Sequence, residues 1–417
     1  MDRRTFAKQA LGAVGAFTIV PRHVLGGPHY TPPSDQLTKA VIGVGGMGKG
    51  HLDYPGSRLV AVCDIDEEHL QQALDRSAEG VRGYKDYREV LAQDDVDIVH
   101  IVTPPHWHGK MAVDAAEAGK DIWCEKPMTR TIGEGKKVVV AVQRNDAIFR
   151  LNTWFRFEDT FYGMETPVKP IKKLVENRVF GWPLKVTINK STGFDWKFNW
   201  SGRRNLEPQW VPKKLDYDMW LGPAPYKPYH EHRVHSTFRG YWDYDGGGLG
   251  DMGQHYLDPV QYILEKDATS PVYVEVDATQ QHPDAVSSWR RIELTYADGC
   301  KIVLDGENRD TEAAFIEGPE GNLYRGFESD ISNIDDVAAS LPDPEPQVTD
   351  FSEAVKHRRT FALNEKNGHR SCNLVNLGKI ALQLGRHLEF DPDAQRFVRD
   401  AAANRLIDQP MRAPWDI

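Results

Sequence analysis

The sequence predicts an α/β chain in two parts. A doubly wound parallel sheet spans residues 37–153, and a second domain over 154–390 is built on an open, mostly antiparallel sheet. Three observations predict this. Apolar strand-like runs alternate with amphipathic helical stretches up to about residue 153, the order that sets parallel strands between covering helices. A glycine-rich turn comes directly after the first strand. After Trp154 the texture changes: Pro, Trp, Tyr and Asn become frequent, and alternating strands appear with turn residues between them.

In chain order, Lys39 to Gly43 reads as a β-branched strand and Arg58 to Cys63 as a second, ending in Asp64. Between Glu67 and Ala78 the apolar residues Leu70, Ala73, Leu74 and Ala78 fall on one helix face. Asp97 to Val102 is a continuous apolar strand, as a sheet covered on both faces requires. Trp107 to Ala118 reads as a helix with Gly119 placed to end it. Asp121 to Cys124, Ile132 to Asn145 and Ile148 to Asn152 continue as strand, helix and strand. In the second part the strands are Leu184 to Asn189, Val272 to Ala278, Trp289 to Tyr296 and Cys300 to Leu304, the last two joined by the hairpin signal Asp298-Gly299. One more helix is expected over 374–387, ahead of an extended charged tail at 391–417.

The N-terminus reads as an address. Arg3-Arg4-Thr5-Phe6-Ala7-Lys8 precedes a mildly apolar stretch from Ala10 to Val20, which resembles a twin-arginine export signal over 1–27 and implies a periplasmic destination after passage through the cytoplasm. Residues 28–36, with Pro28 and Pro32-Pro33, read as a linker. The 51 Lys+Arg against 61 Asp+Glu give a net charge of −10, so the chain has no global attraction for a nucleic-acid backbone. No apolar run is long enough for a membrane span. The four cysteines, Cys63, Cys124, Cys300 and Cys372, are scattered without a C-x-x-C and read as small buried residues.

Four motifs carry chemistry. Gly43-x-Gly45-Gly46-Met47-Gly48 after a strand would let a pyrophosphate approach backbone N–H groups, and Asp64 about twenty residues on would accept from ribose hydroxyls. No Arg follows Asp64, so a 2′-phosphate would meet uncompensated negative charge, and NAD is expected over NADP. Thr103-Pro104-Pro105-His106-Trp107-His108 closes the apolar strand at its carboxyl end, where ligand crevices lie; Thr103, Pro104, His106, Trp107 and His108 are expected at the cofactor, as are Glu125 and Lys126 of the next motif, although Trp107 also reads as a packing residue. Cys124-Glu125-Lys126-Pro127 ends another strand, and a lysine there would stabilise negative charge forming on a substrate hydroxyl. In Gly246-Gly247-Gly248-Leu249-Gly250-Asp251-Met252-Gly253-Gln254-His255-Tyr256-Leu257-Asp258, Asp251 and His255 share a helix face, and His255 is suited to take a proton near neutrality. A metal there would want more ligands. His230, His232 and His235 fit no standard spacing, so no metal is expected.

This order of motifs resembles the Gfo/Idh/MocA oxidoreductases, from about Leu37 to the C-terminus. Asp218-Met219-Trp220-Leu221-Gly222-Pro223-Ala224-Pro225 and the run to Trp242 resemble an exported bacterial subgroup. The resemblance implies a Rossmann domain with a sheet domain that mediates homo-oligomers, and a catalytic set falling on Lys126, Asp251 and His255. Asn152-Thr153-Trp154-Phe155-Arg156 departs from the usual Gln-rich version; Arg156 is expected as a sugar contact, and His235 as a further substrate contact. Trp196, Trp200, Trp210, Tyr241, Trp242 and Tyr244 could stack on a pyranose, with core packing the safer account of most.

The expected reaction is oxidation of a secondary hydroxyl of a sugar or glycoside to a keto-sugar, with carbon 3 of a glycoside as one candidate position. Export adds a constraint. At an association rate of about 10⁶ M⁻¹s⁻¹ a micromolar cofactor leaves in about a second. Retention for tens of minutes needs roughly nanomolar affinity, about −12 kcal/mol. Tightly bound NAD(H) would then be regenerated in place. A redox-neutral glycosidase, epimerase or sugar–sugar oxidoreductase is the alternative, and a non-catalytic sugar sensor the second.

Overall fold

The computed structural model describes residues 36–153, 155–156, 167–190, 192 and 200–417. The export segment, all but one residue of the linker, and Trp196 lie outside them. Among the described residues no helix is long and apolar enough to cross a membrane.

The first sheet has six parallel strands: β1 (Thr38–Ile42), β2 (Arg58–Cys63), β3 (Arg82–Tyr84), β4 (Ile98–Ile101), β5 (Asp121–Glu125) and β6 (Phe149–Asn152). Their order is β3-β2-β1-β4-β5-β6. Every residue of β1, β4 and β5 is buried, as helices on both faces demand. The order reverses between β1 and β4, and a crevice opens at the carboxyl ends of strands at such a point. The glycine turn leads into a helix of one turn only, Gly48–His51. Gly50, Pro55 and Gly56 are poor helix formers, and no apolar stripe compensates. Strand β3 was not expected; its residues are half-buried or exposed and carry no apolar alternation.

The second sheet has eight strands: β7 (Lys185–Ile188), β8 (Tyr273–Ala278), β9 (Trp289–Thr295), β10 (Lys301–Asp305), β11 (Ile316–Gly318), β12 (Gly321–Leu323), β13 (Leu388–Asp391) and β14 (Arg396–Phe397). Its order is β12-β11-β7-β10-β9-β8-β13-β14. All neighbours are antiparallel except β7 and β10. The β9–β10 hairpin turns at Gly299, whose φ of 90° is open to glycine at little cost. One face of this sheet is covered by the helices Gly247–Ile263 and Glu365–Leu384, whose buried leucines and valines join the strands in one core.

Two expectations are corrected. The helix expected at 374 begins at Glu365, capped by Asn364, whose side chain accepts from Lys366 N and Asn367 N. Its first half is polar in sequence yet buried (Glu365, His369, Ser371, Asn373), so hydrophobic periodicity cannot reveal it. The extended tail at 391–417 is instead structured: β13 and β14 widen the second sheet, and Trp415 packs edge-on against Trp107 of the first domain at 5.0 Å. Phe351, Val355, Phe361 and Cys372, from the second half of the chain, also belong to the first domain's core. The two domains therefore share packing well beyond a linker.

Candidate active site

The glycine turn needs its glycines for two separate reasons. Gly43 has φ 86°, and a Cβ there would lie 2.9 Å from the Val102–Thr103 backbone; at Gly48 a Cβ would lie 1.9 Å from the Gly43 carbonyl oxygen. Gly46 faces open space, where a ligand can approach the backbone. Asp64, at the end of β2, is held by the backbone: Val44 N donates to Oδ2 at 2.9 Å and Asp66 N to Oδ1 at 2.9 Å. His69 Nδ1 lies 3.7 Å from Asp64, and this hydrogen-bonding partner raises the imidazole above its ordinary value despite burial.

A cleft of about 350 Å³ runs from this turn to the second domain. Gly43, Gly45, Gly46, Met47, Asp64, Thr103, Pro104 and Trp107 line one end, while Glu125, Lys126, Arg239, Asp245 and Asp251 line the other. Glu125 is fixed by a buried network. His51 Nε2 lies 2.9 Å from its Oε1, Asn152 Nδ2 donates to the same oxygen at 2.6 Å, and His51 Nδ1 meets His100 Nδ1 at 3.0 Å. Burial pushes the Glu125 carboxyl up, but the His51 bond and the charges of His51 and Lys126 outweigh it and bring it to about 2. The ionised carboxylate accepts from Lys126 N at 3.2 Å and so orients the next residue.

Lys126 joins the two domains. Its Nζ donates to the Asp251 carbonyl at 2.8 Å and to Asp251 Oδ1 at 3.1 Å. Arg239 Nε forms a second ion pair with Oδ1 at 2.8 Å. Burial raises the Asp251 carboxyl, but Lys126 and Arg239 together bring it to about 2. His255, one turn on from Asp251 in the same helix, is buried and is not among the residues lining the cleft; its ring stands edge-on to Phe155 at 5.1 Å. Burial, then the Lys126 charge, hold its imidazole down to about 3, so it is neutral at physiological pH.

A segment of the second domain closes over the Asp64 end. Glu67 N donates to Lys214 O at 3.0 Å and Asp216 N to Ile65 O at 3.2 Å, so Leu215 bridges to Asp66 like a short added strand. His235, from the turn at 235–240, stands at the same end, its Nε2 3.5 Å from Asp66 Oδ2 and its ring 5.1 Å from that of His69.

Several residues are not where the sequence led. His106 and His108 do not face the cleft. His106 Nε2 lies 2.9 Å from Trp220 O, and His108 is held between Pro127 O and Thr103 O, each at 2.7 Å; burial pushes both imidazoles down, His106 to about 3. They pin the loops that line the cleft. Gly48 is a packing residue rather than a lining one. Arg156 is buried beneath the Gly247–Ile263 helix, bidentate on Asp258 (2.8 Å twice) and paired with Asp267 at 2.5 and 2.8 Å. It has no free face for a sugar. His235 stands at the Asp64 end, away from Lys126. It groups with Asp66 and His69, their ligand atoms within 4.8 Å, a cluster that no sequence spacing indicated. Tyr241, Trp242 and Tyr244 are core residues, whereas Trp210 is 97% exposed. All four cysteines are free and buried. Sequence reasoning missed Arg239 and Asp245. Nothing local marks Arg239, but Asp245 directly precedes the triple glycine.

The geometry suits a dinucleotide: backbone open at the turn, a carboxylate one strand over, and a cation at the far end of the same cleft. Residues 37–153 match the GFO/IDH/MocA model described as oxidoreductase family, NAD-binding Rossmann fold, and residues 164–417 match its C-terminal alpha/beta domain. The chain is 31% identical over 385 residues to the uncharacterized oxidoreductase YrbE of Bacillus subtilis, covering 85% of this chain and 97% of that one. It is 29% identical over 245 residues to a glycosyl hydrolase family 109 protein of Shewanella pealeana, covering 49% of this chain and about half (52%) of that relative. In fold it resembles the WlbA dehydrogenase of Chromobacterium violaceum, crystallised with NADH and UDP-GlcNAcA (TM-score 0.59, 18% identity, 85% of this chain and 96% of that one). The chain is therefore an NAD-binding member of the Gfo/Idh/MocA oxidoreductase family.

Proposed function

We propose that this protein oxidises a secondary hydroxyl of a sugar or glycoside to a ketone, retaining its NAD(H) between turnovers. The observation that carries the reading is Lys126: one ammonium, nearly buried, bound to the second domain through Asp251 and standing in the cleft that the glycine turn opens. Bound NAD supplies hydride acceptance and return. Gly43, Gly45, Gly46, Asp64, Thr103 and Pro104 would hold it. Lys126 donates to the substrate oxygen and stabilises the alkoxide as it forms; Asp251, ionised, keeps the ammonium charged and aimed. His255 enters as neutral imidazole, the form that takes the hydroxyl proton.

Retention is supported by the strap, whose backbone pairs with residues 65–67 next to Asp64. The retained form fits export through the N-terminal twin-arginine segment to the periplasm, and the second sheet offers a face for a homo-oligomer. A second reading, a redox-neutral glycosidase, epimerase or sugar–sugar oxidoreductase, is favoured by the same strap, because a cofactor that stays must be regenerated in place.

Denaturing the purified protein and identifying the released nucleotide, then screening glycosides at the NADH absorbance band, tests the reading. NAD(H) released in near-stoichiometric amount, with at least one sugar producing NADH, is the expected result. Copurifying NADPH, or no sugar response in any of the panel, contradicts it.

A further inference from the structure

Asp245 lies on the cleft wall with Lys126 and Asp251, yet its side chain is almost wholly buried, and its Oδ1 has no hydrogen-bond partner among the described residues. Its place is built. Asp245 N donates to Tyr241 O at 3.0 Å, and the chain then turns through Gly246 at φ 125° into the Gly247–Ile263 helix. The carboxylate folds back over Gly250, where a Cβ would stand 2.3 Å from Oδ1. Only glycine at 250 permits this pose. The charged groups facing it come from four elements: Asp251 on the helix that follows it, Arg239 from the turn at 235–240 of the same domain, Lys126 from the first domain, and Lys379 from the Glu365–Leu384 helix. A buried carboxyl oxygen without a partner is costly. Its retention amid three cations beside the proposed alkoxide site calls for a use.

We propose that Asp245 is a second acid–base group of this site, removing the proton from the carbon next to the ketone that oxidation creates. The proposal rests on the sugar reading above and deepens it: the substrates are those with a C–H beside the oxidised carbon, and the outcome is exchange, epimerisation or elimination there. In the step, the C–H electron pair becomes the carbon–carbon double bond of an enolate. The carbonyl π pair moves onto oxygen beside the Lys126 ammonium, and the proton goes to the Asp245 carboxylate. No oxidant is consumed, and return of the proton restores the ketone. Burial and the Asp251 charge raise the Asp245 carboxyl to about 7 against the pull of Arg239, Lys379 and Lys126, so at neutrality it both accepts and returns a proton.

The test supplies the ketone ready-made. NAD⁺-loaded protein is mixed in D₂O with methyl glucoside already oxidised at its third carbon, and loss of the adjacent C–H is followed by proton NMR. The wild type is expected to exchange, its rate rising with pH through about 7 to a plateau. Asp245→Asn should slow exchange by about 10²-fold or more and remove the inflection. An infrared band of a protonated carboxyl that fades over the same pH range should be absent from the variant. Should Asp245→Asn lose its bound NAD or fail to fold, the wild-type profile decides: an inflection near 7 supports the role and a flat profile overturns it. Exchange in Asp245→Asn at the wild-type rate, or none in the wild type above buffer, also overturns it. A protein that exchanges this ketone but oxidises no sugar would keep the Asp245 role and remove the dehydrogenase reading. The converse result would do the reverse.

Discussion

The two walls of the cleft are made of different material. The first domain's wall is backbone: a glycine turn that leaves N–H groups within reach, and an Asp64 carboxylate whose oxygens are tied to main-chain donors at 2.9 Å. The second domain's wall is side-chain charge, with Arg239, Asp245 and Asp251 crowded into a nearly dry space around the incoming Lys126. The contrast teaches a division of labour. A backbone wall binds one unchanging ligand by shape. A wall of interacting charges can move protons, because small changes in neighbouring charge shift each group's affinity for them.

The largest effect should come from the residue that joins the walls. Lys126→Ala should lower kcat for sugar oxidation by about 10²- to 10³-fold, the scale for losing one preorganised donor at a developing oxyanion, in steady-state assays with the responding glycoside. Unaltered turnover would break the comparison at its centre. Next is Arg156→Ala, which leaves Asp258 buried and uncompensated. Unfolding should become easier by about 3–5 kcal/mol in denaturant titrations. A rise in KM at unchanged stability would instead return Arg156 to the substrate.

The backbone wall is sharpened by two smaller changes. Gly48→Ala forces a methyl against the Gly43 carbonyl, and it should cost about 1–3 kcal/mol and reduce the NAD copurifying per chain. Asp64→Ala removes the ribose acceptor while sparing the cations beyond it. Weaker NAD binding by roughly 10-fold is expected by calorimetry on protein stripped and reloaded, with kcat at saturating NAD little changed.

How much of this was legible divides along the same line. The glycine turn, Asp64 and Lys126 sit at strand ends whose apolar runs are plain in the sequence, so position and chemistry could be read together. The parallel sheet and the β9–β10 hairpin were legible for the same reason, since period and turn residues are local. Arg156 was not. An arginine after a strand looks alike whether it awaits a sugar or pairs with Asp258 and Asp267 about a hundred residues on. His235 was misplaced because the segment carrying it packs against Asp66 and His69, beyond the end of β2, a contact between distant segments. Arg239 belongs to no local pattern, and Asp245 is marked only by the triple glycine after it; both acquire meaning when the second domain brings them to Lys126. The buried polar start of the Glu365–Leu384 helix escaped because burial without hydrophobicity leaves no period.

The most direct measurement tracks a single labelled hydrogen. Protein loaded with NAD⁺ is mixed with a glycoside deuterated at its oxidisable carbon, quenched after one turnover, and its nucleotide released for mass spectrometry. Deuterium on the nicotinamide of the bound nucleotide, strongly diminished in Lys126→Ala, is the predicted result. A keto-sugar formed with no label on the nucleotide, or label transfer indifferent to loss of that lysine, would contradict the account.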